Sequence, residues 1–406
     1  MRFNRCVTWK TPGKQPNSGA RIIARDIRPL TPDDIPELSA FLVTGFHAEP
    51  GADFASPAVL RWKYLGNDET ASCAIITSNG RTLPSGQQSQ GVQANSHHDI
   101  QAHSDSSLSH VARNESGRII GHLGLCRTYF EGRGIMTSSG QVVTMHIIDW
   151  LGSPEHRSIG MSLLRLLHQE GETQFALGAT PVAVSIGERS GYKPREVIPV
   201  YNCVLRADYW LRTAGSGRLN RWLKVGREWL GRLTQPAISP RTILTLDRVL
   251  LFGPEIMEVI AKIKAHVILT GRNPARLNGF LRFPRQAFSG WYLRDQAGCL
   301  RGFAVLNLVS QDGGHTRTGK IVDCLFDNIE GSFWQAAVLA LTGELRRQGA
   351  DVVQCYASTP WMAEALSKCG FISRFGVKFL LRDPYGQIPR GATFHLTALE
   401  GDYAYT

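Results

Sequence analysis

Long apolar runs are missing from this chain of 406 residues. Stretches such as Trp334-Gln335-Ala336-Ala337-Val338-Leu339-Ala340-Leu341 fall far short of the ~18–20 apolar residues a membrane-spanning helix needs. The basic amino-terminal segment has no apolar core of ~7–15 residues, so no signal peptide is expected. Paired cysteines are missing too. The eight cysteines stand at 6, 73, 126, 203, 299, 324, 355 and 369, with no C-x-x-C among them. That pattern argues against a disulfide frame or a zinc site, and for free thiols in a reducing, cytoplasmic setting. His97, His98, His103 and His110 lie near one another in sequence but without the acid or cysteine spacing of a metal site, so no metal is expected.

Acidic residues are also in short supply, and the formal net charge is +11. The excess is uneven: between Arg206 and Arg248 nine Lys/Arg face three Asp/Glu. Within that stretch, residues 216–233 place Leu219, Trp222, Leu223, Trp229, Leu230 and Leu233 on one helical face and arginines on the rest. Such a helix suits weak contact with an anionic membrane. Packing of its apolar face between two domains is the favoured alternative. No nucleic-acid-binding module is recognisable, and no nucleic-acid partner is expected.

The length favours two domains. The patterning predicts the same order of elements twice. In the first half a short strand leads into a helix capped near Thr31, followed by a second helix with Pro57 in its first turn. Residues 71–77 read as a strand, and 78–114 as a polar, disordered insertion. Two alternating strands follow, then a helix after Arg157, a strand near Phe175–Ala179, a helix from Pro181 to Ser190 and a last strand from Val197 to Leu205. Four segments return in order in the second half: "SPAVL" as "NPARL", "SGRIIGHLGL" as "AGCLRGFAVL", "HIIDWL" as "KIVDCL" and "GERSGY" as "LSKCGF". The expected division is a tail at 1–25, a first domain at 26–205, a basic linker helix at 206–248 and a second domain at 249–406.

The stretch "HIIDWLGSPEHRSIGMSLLRLL" carries the chemistry. A strand runs through a turn of small residues into a helix, whose first amides lack intrahelical partners and carry the positive end of the dipole. Gly160 and Ser162 let an anion come close, and Arg157 can add a charged contact. This turn resembles the coenzyme A pyrophosphate loop of the GNAT superfamily of N-acetyltransferases, Arg/Gln-x-x-Gly-x-Gly/Ala, with Ser162 at the last position. "ATPVAVSIGERSGYKP" and "DIRPLTPDDIPELSAFL" are similar to the next helix and to the opening strand and helix of that superfamily.

The resemblance implies an α+β fold of two GNAT-like domains, each a mixed, mostly antiparallel twisted sheet flanked by helices. It implies acetyl-CoA as cosubstrate, held by Arg157, Ser158, Ile159, Gly160, Met161 and Ser162, with the backbone of Leu151 and Gly152 polarising the acyl carbonyl. It implies transfer to a primary amine of a small-molecule, sugar-type or amino-acid-type acceptor. In the second half Asp327, Asn328, Ile329, Glu330, Gly331 and Ser332 replace the loop, so that copy is expected to be degenerate. The family's usual Tyr and Asn positions fall on Gly187 and Thr180, both departures. Tyr192, Tyr201 and Ser185 are substitutes for the missing acid, with Tyr192 the first choice. Asp149 and His146 are the candidate bases. A regular strand would point them to opposite faces, and the twin of Asp149 at Asp323 favours a structural role for that carboxylate. The rival readings are a non-catalytic coenzyme A-binding protein and a Femab-like aminoacyl transferase. The sequence leaves the oligomeric state open.

Overall fold

The computed structural model describes residues 26–66, 108–156, 158–206, 208–212, 222–223, 225–226, 243–285, 288–311 and 316–401. The expected tail at 1–25, the strand at 71–77, Arg157 and most of the helix at 216–233 lie outside them.

The first half runs β1 (Asp26–Pro29), α1 (Ile35–Gly45), α2 (Pro57–Tyr64), β2 (His110–Arg113), β3 (Ile119–Gly132), β4 (Gln141–Gly152), α3 (Ile159–Gln169), β5 (Thr173–Leu177), α4 (Pro181–Arg189) and β6 (Lys193–Val204). A short α5 (Tyr209–Arg212) follows. The second half runs β7 (Thr245–Val249), α6 (Ile256–Ile263), β8 (Ile268–Thr270), α7 (Pro274–Leu281), β9 (Phe288–Arg294), β10 (Leu300–Gln311), β11 (Thr316–Phe326), α8 (Gly331–Arg347), β12 (Val352–Tyr356), α9 (Pro360–Lys368), β13 (Ile372–Arg382) and β14 (Phe394–His395).

The repeated segments fold alike. Ser56 and Asn273 each cap a helix that has Pro at its first position, their side chains accepting from the amides of Val59 and Arg276. Gly117 and Gly298 turn equivalent hairpins at φ 79° and 80°. Gly191 and Gly370 end equivalent helices at φ 90° and 83°, where a side chain would be strained. The expected insertion at 78–114 is too long by one element: His110–Arg113 form β2, laddered between β1 and β3. Its four residues, with apolar Val111 and Ala112 between polar ends, follow a long polar stretch that hides a strand this short.

The strands of the described residues join one sheet, in the order β1-β2-β3-β4-β5-β13-β6-β12-β11-β10-β9-β7, with β8 pairing β3 and β14 pairing β8. The final strands are exchanged: β13 lies beside β5, and β6 lies beside β12. Helices α3 and α4 pack on one face of the first half, burying Leu163, Leu164, Leu167 and Val184 with Tyr192 and Leu380. On the other face one core draws from both halves, joining Val59, Phe130 and Phe175 to Ile256, Leu277, Phe303 and Phe394.

Candidate active site

Two of the parallel pairings are short, and each opens a gap. β4 pairs with β5 only from Thr144 to His146, and β11 pairs with β12 only from Thr318 to Ile321. Beyond those rungs the strands part, so the centre of each half has a split with backbone on both sides.

In the first half the split lies beside an irregularity in β4. Cys126 faces His146 and Gly124 faces Ile148 across the β3–β4 ladder, but His122 faces Leu151, so Asp149 and Trp150 bulge opposite Leu123. Asp149 has φ 52°. A left-handed conformation costs a non-glycine residue roughly 1–2 kcal/mol, so neighbours must hold it there. They do. Lys63 Nζ donates to Asp149 Oδ2 at 2.7 Å, and the hydroxyl of Tyr64 donates to the same oxygen. His122 Nδ1 donates to the Asp149 carbonyl at 3.1 Å, which fixes its tautomer. A side chain at Gly124 would come within 2.4 Å of the Tyr64 hydroxyl, so glycine is what admits α2 this close.

These contacts set the electrostatics. Burial alone would raise the Asp149 pKa, but Lys63, Tyr64 and His122 together hold it below the ordinary carboxylate value. Burial lowers His122 to about 4 and leaves it neutral, with Nε2 enclosed and unpartnered among the described residues. His146 stacks on Phe175 at the last rung before the split, centroids 4.4 Å apart and rings nearly parallel. Burial first, then the charges of Arg276 and Lys63, lower it to about 3.

The bulge corrects the expected facing of the two candidate bases. It turns Asp149 toward α2, the side on which His146 also lies, because one extra residue resets the alternation of the strand. Tyr192 is on the other face. Its hydroxyl donates to the Gln174 side chain, and burial pushes its pKa up. Thr180 caps α4, accepting from the Ala183 amide at 3.3 Å, and Gly187 is buried against Leu380 and Tyr192.

At the open end of the split the end of β4 meets the first turn of α3. Trp150 Nε1 donates to the Gly160 carbonyl at 3.0 Å. A side chain on Gly152 would stand 3.1 Å from Ile159 and 3.2 Å from the Gly160 amide nitrogen. Ser158 caps the helix in position only, its side chain making no cap bond, and its carbonyl accepts from both the amide and the hydroxyl of Ser162. Leu151, Gly152 and Ser158 through Ser162 are thus gathered in one place, with small residues at the closest approaches.

The second half fills its split from within. His395 Nε2 donates to the Cys324 carbonyl at 3.0 Å, Thr397 Oγ1 donates to Asp323 at 3.0 Å, and the Leu396 amide donates to Ser358 Oγ at 2.7 Å. The segment from Phe394 to Glu400 therefore bridges β11 and the end of β12. Asp323, the twin of Asp149, is wholly buried against Arg272, which also meets Glu400 at 2.9 Å. At the start of α8, Asn328 Oδ1 accepts from the Glu330 amide at 2.9 Å, and Asp327 pairs with Arg301 at 3.0 Å. Its own side chains occupy the turn that corresponds to the small-residue turn of the first half.

Lys63, Tyr64, His122 and Arg276 were not legible as site residues. Lys63 precedes Asp149 by 86 positions, and only the bulge brings them together. Among the described residues no three His, Cys, Asp or Glu side chains gather in a metal-binding group, and no helix is long and apolar enough to cross a membrane.

No family model matches the sequence, and no curated protein matches it. Solved structures do resemble the fold. A GCN5-related N-acetyltransferase from Anabaena variabilis ATCC 29413 superposes over 88% of this chain and 72% of its own, with a TM-score of 0.52 at 13% identity. The N-myristoyltransferase of Saccharomyces cerevisiae, solved with bound myristoyl-CoA, covers 92% of this chain and 83% of its own, with a TM-score of 0.52 at 11% identity. A probable N-acyltransferase from Enterococcus faecalis V583 covers 88% and 71%, with a TM-score of 0.50 at 11% identity. The likeness is one of fold: a large mixed sheet flanked by helices, of the GNAT type, in structures that are acyltransferases by description.

Proposed function

We propose that the protein is an acyl-CoA-dependent N-acyltransferase, most simply an N-acetyltransferase acting on a small-molecule primary amine, with its active site in the first half. The observation that supports this reading is the contrast between the two splits. The second is closed by the chain's own segment from Phe394 to Glu400. Among the described residues, no segment bridges the first in that way. It ends at the close-packed turn of Gly152, Ile159 and Gly160, which suits a diphosphate received on helix amides.

Acyl-coenzyme A would supply the activated acyl group. The first turn of α3, from Ser158 to Ser162 with Arg157 beside it, would bind the diphosphate. Backbone at the end of β4, at Leu151 and Gly152, would polarise the acyl carbonyl. Preorganised donors of this kind are worth ~10²–10³ in rate per donor. Asp149 serves in this reading as the pin of the β4 bulge, since both Lys63 and Tyr64 occupy its carboxylate. His146 stands neutral at the last rung before the split and, with the Asp149 carboxylate taken up by Lys63 and Tyr64, is the candidate proton acceptor of this reading. Tyr192 takes no part.

The test is the melting temperature with and without acetyl-CoA and a long-chain acyl-CoA. A ligand at 100 times its Kd stabilises by ~2.7 kcal/mol, a shift of several degrees. The longer chain separates an acetyl from a fatty-acyl donor. Absence of any shift at millimolar concentration of either would sink the reading. Thiol release on adding amines then separates catalysis from mere binding.

A further inference from the structure

We infer that the acceptor of this site is an amine bearing a carboxylate, an amino-acid-like molecule, and that Arg276 receives the carboxylate. The inference rests on the acyltransferase reading and specifies its acceptor. Arg276 stands in the first turn of α7, in the second half, and reaches across to the first. Its Nη1 donates to Thr128 Oγ1 at 2.9 Å and to the Gly271 carbonyl at 2.6 Å. Both anchors are firm. Thr128 lies on β3, two residues from Cys126, the cross-strand partner of His146. The Gly271 amide donates to the Tyr129 carbonyl at 2.7 Å, and a side chain at Gly271 would strike the Tyr129 ring.

With Nη1 spent on the protein, the edge formed by Nε and Nη2 makes no bond among the described residues. That edge presents two parallel N–H donors, the geometry that takes a carboxylate side-on. Buried Arg272 and the half-buried Arg113 and Arg301 use their forks on the protein itself: Arg272 meets Asp323 and Glu400, Arg113 meets Asp34 and Glu37, and Arg301 meets Asp327 and Asp295. Arg276 is half-buried like the last two and has no such partner among the described residues. Its charge helps lower the pKa of His146, at the last rung before the split. The neighbouring cation, Lys63, is neutralised by Asp149. Among the described residues Arg276 has no ion-pair partner, so its charge is left to act on the part of the sheet that holds Thr128 and His146, which favours an anionic group there.

Calorimetric titration of a panel of α-amino acids and their carboxamides tests this without any acyl donor. At least one amino acid should bind the wild-type protein at least tenfold more tightly than its amide. Arg276→Met should abolish that discrimination, and Arg276→Lys should keep part of it, because a point charge replaces the fork. Circular dichroism of both variants checks that they fold. Equal binding of acids and amides, no binding of either, or discrimination that survives Arg276→Met would overturn the inference. The acyl-CoA melting shift is read separately, so loss of the shift condemns the donor reading, whereas a shift without acid preference condemns the acceptor.

Discussion

The ammonium of Lys63 lies 2.7 Å from the Asp149 carboxylate, with both side chains almost sealed from water, at 2% and 4% exposure. A pair this enclosed is worth little as a net gain, yet removing one member leaves the other charged and buried. Lys63→Met should therefore cost ~3–5 kcal/mol. Asp149→Asn keeps a side chain that tolerates the left-handed backbone, and the double variant Lys63→Met/Asp149→Asn should recover most of the loss. Denaturant midpoints of the three variants check this. Independent, additive losses would show that the pair does not act as a unit.

Gly160→Asp places a carboxylate where the donor's diphosphate is proposed to lie, beside Trp150. The added Cβ crowds Trp150 Nε1 at 3.3 Å, so the variant should melt somewhat below wild type, and it should lose the acyl-CoA shift measured from its own baseline. A shift that survives would put the donor elsewhere on the molecule.

The closed split of the second half depends on Arg272. Its removal in Arg272→Met would strand Asp323 and Glu400, both wholly buried. The loss should be at least ~3–5 kcal/mol. Hydrogen exchange should accelerate first at the amides of Leu396 and Thr397, which donate to Ser358 and Glu400. Leu396→Ala, which leaves the charges intact, should cost ~2–5 kcal/mol through its cavity. Unchanged protection of this segment in Arg272→Met would refute the anchoring role.

Glu196 on β6 has one carboxylate oxygen enclosed without a partner among the described residues. Burial raises its pKa from 4.5 to about 7. Between those values the folded chain holds a proton that the unfolded chain has released, so this group's contribution to stability falls as pH rises across that window. Glu196→Gln should match the wild type near pH 4 and exceed it increasingly up to about pH 7. Parallel melting curves of the two proteins at all pH values would contradict this.

The sequence was most informative where structure is local. Pro57 and Pro274 beginning helices, Gly191 and Gly370 ending them, and the paired hairpins at Gly117 and Gly298 all follow from short-range backbone preferences, and the four repeated segments expose the doubling of the fold. The turn from Gly152 to Ser162 was legible for the same reason. What escaped depends on register and on distance along the chain. The bulge at Asp149 is set by its fit to Lys63, Tyr64 and Gly124, none of them adjacent to it, so the alternation rule put Asp149 on the wrong side of the sheet. The role of residues 394–400 is invisible in a segment with no distinctive pattern, because it is defined by the split that it fills. Arg276 looks like any helical arginine until its fork is seen to be only half used.

The exchange of β6 and β13 changes what counts as a unit of this protein. Each half lends its last strand to the other's ladder, so neither holds all the hydrogen-bond partners its own sheet requires. Fragments made separately, one ending near residue 212 and one beginning near 243, would each expose an unsatisfied strand edge and should be insoluble alone. Produced together they should find each other, as the subunits of an obligate heterodimer do. Any ancestor that carried one copy could have met the same need by pairing with a second copy of itself, which makes gene fusion, rather than accretion of a new domain, the economical route to this chain.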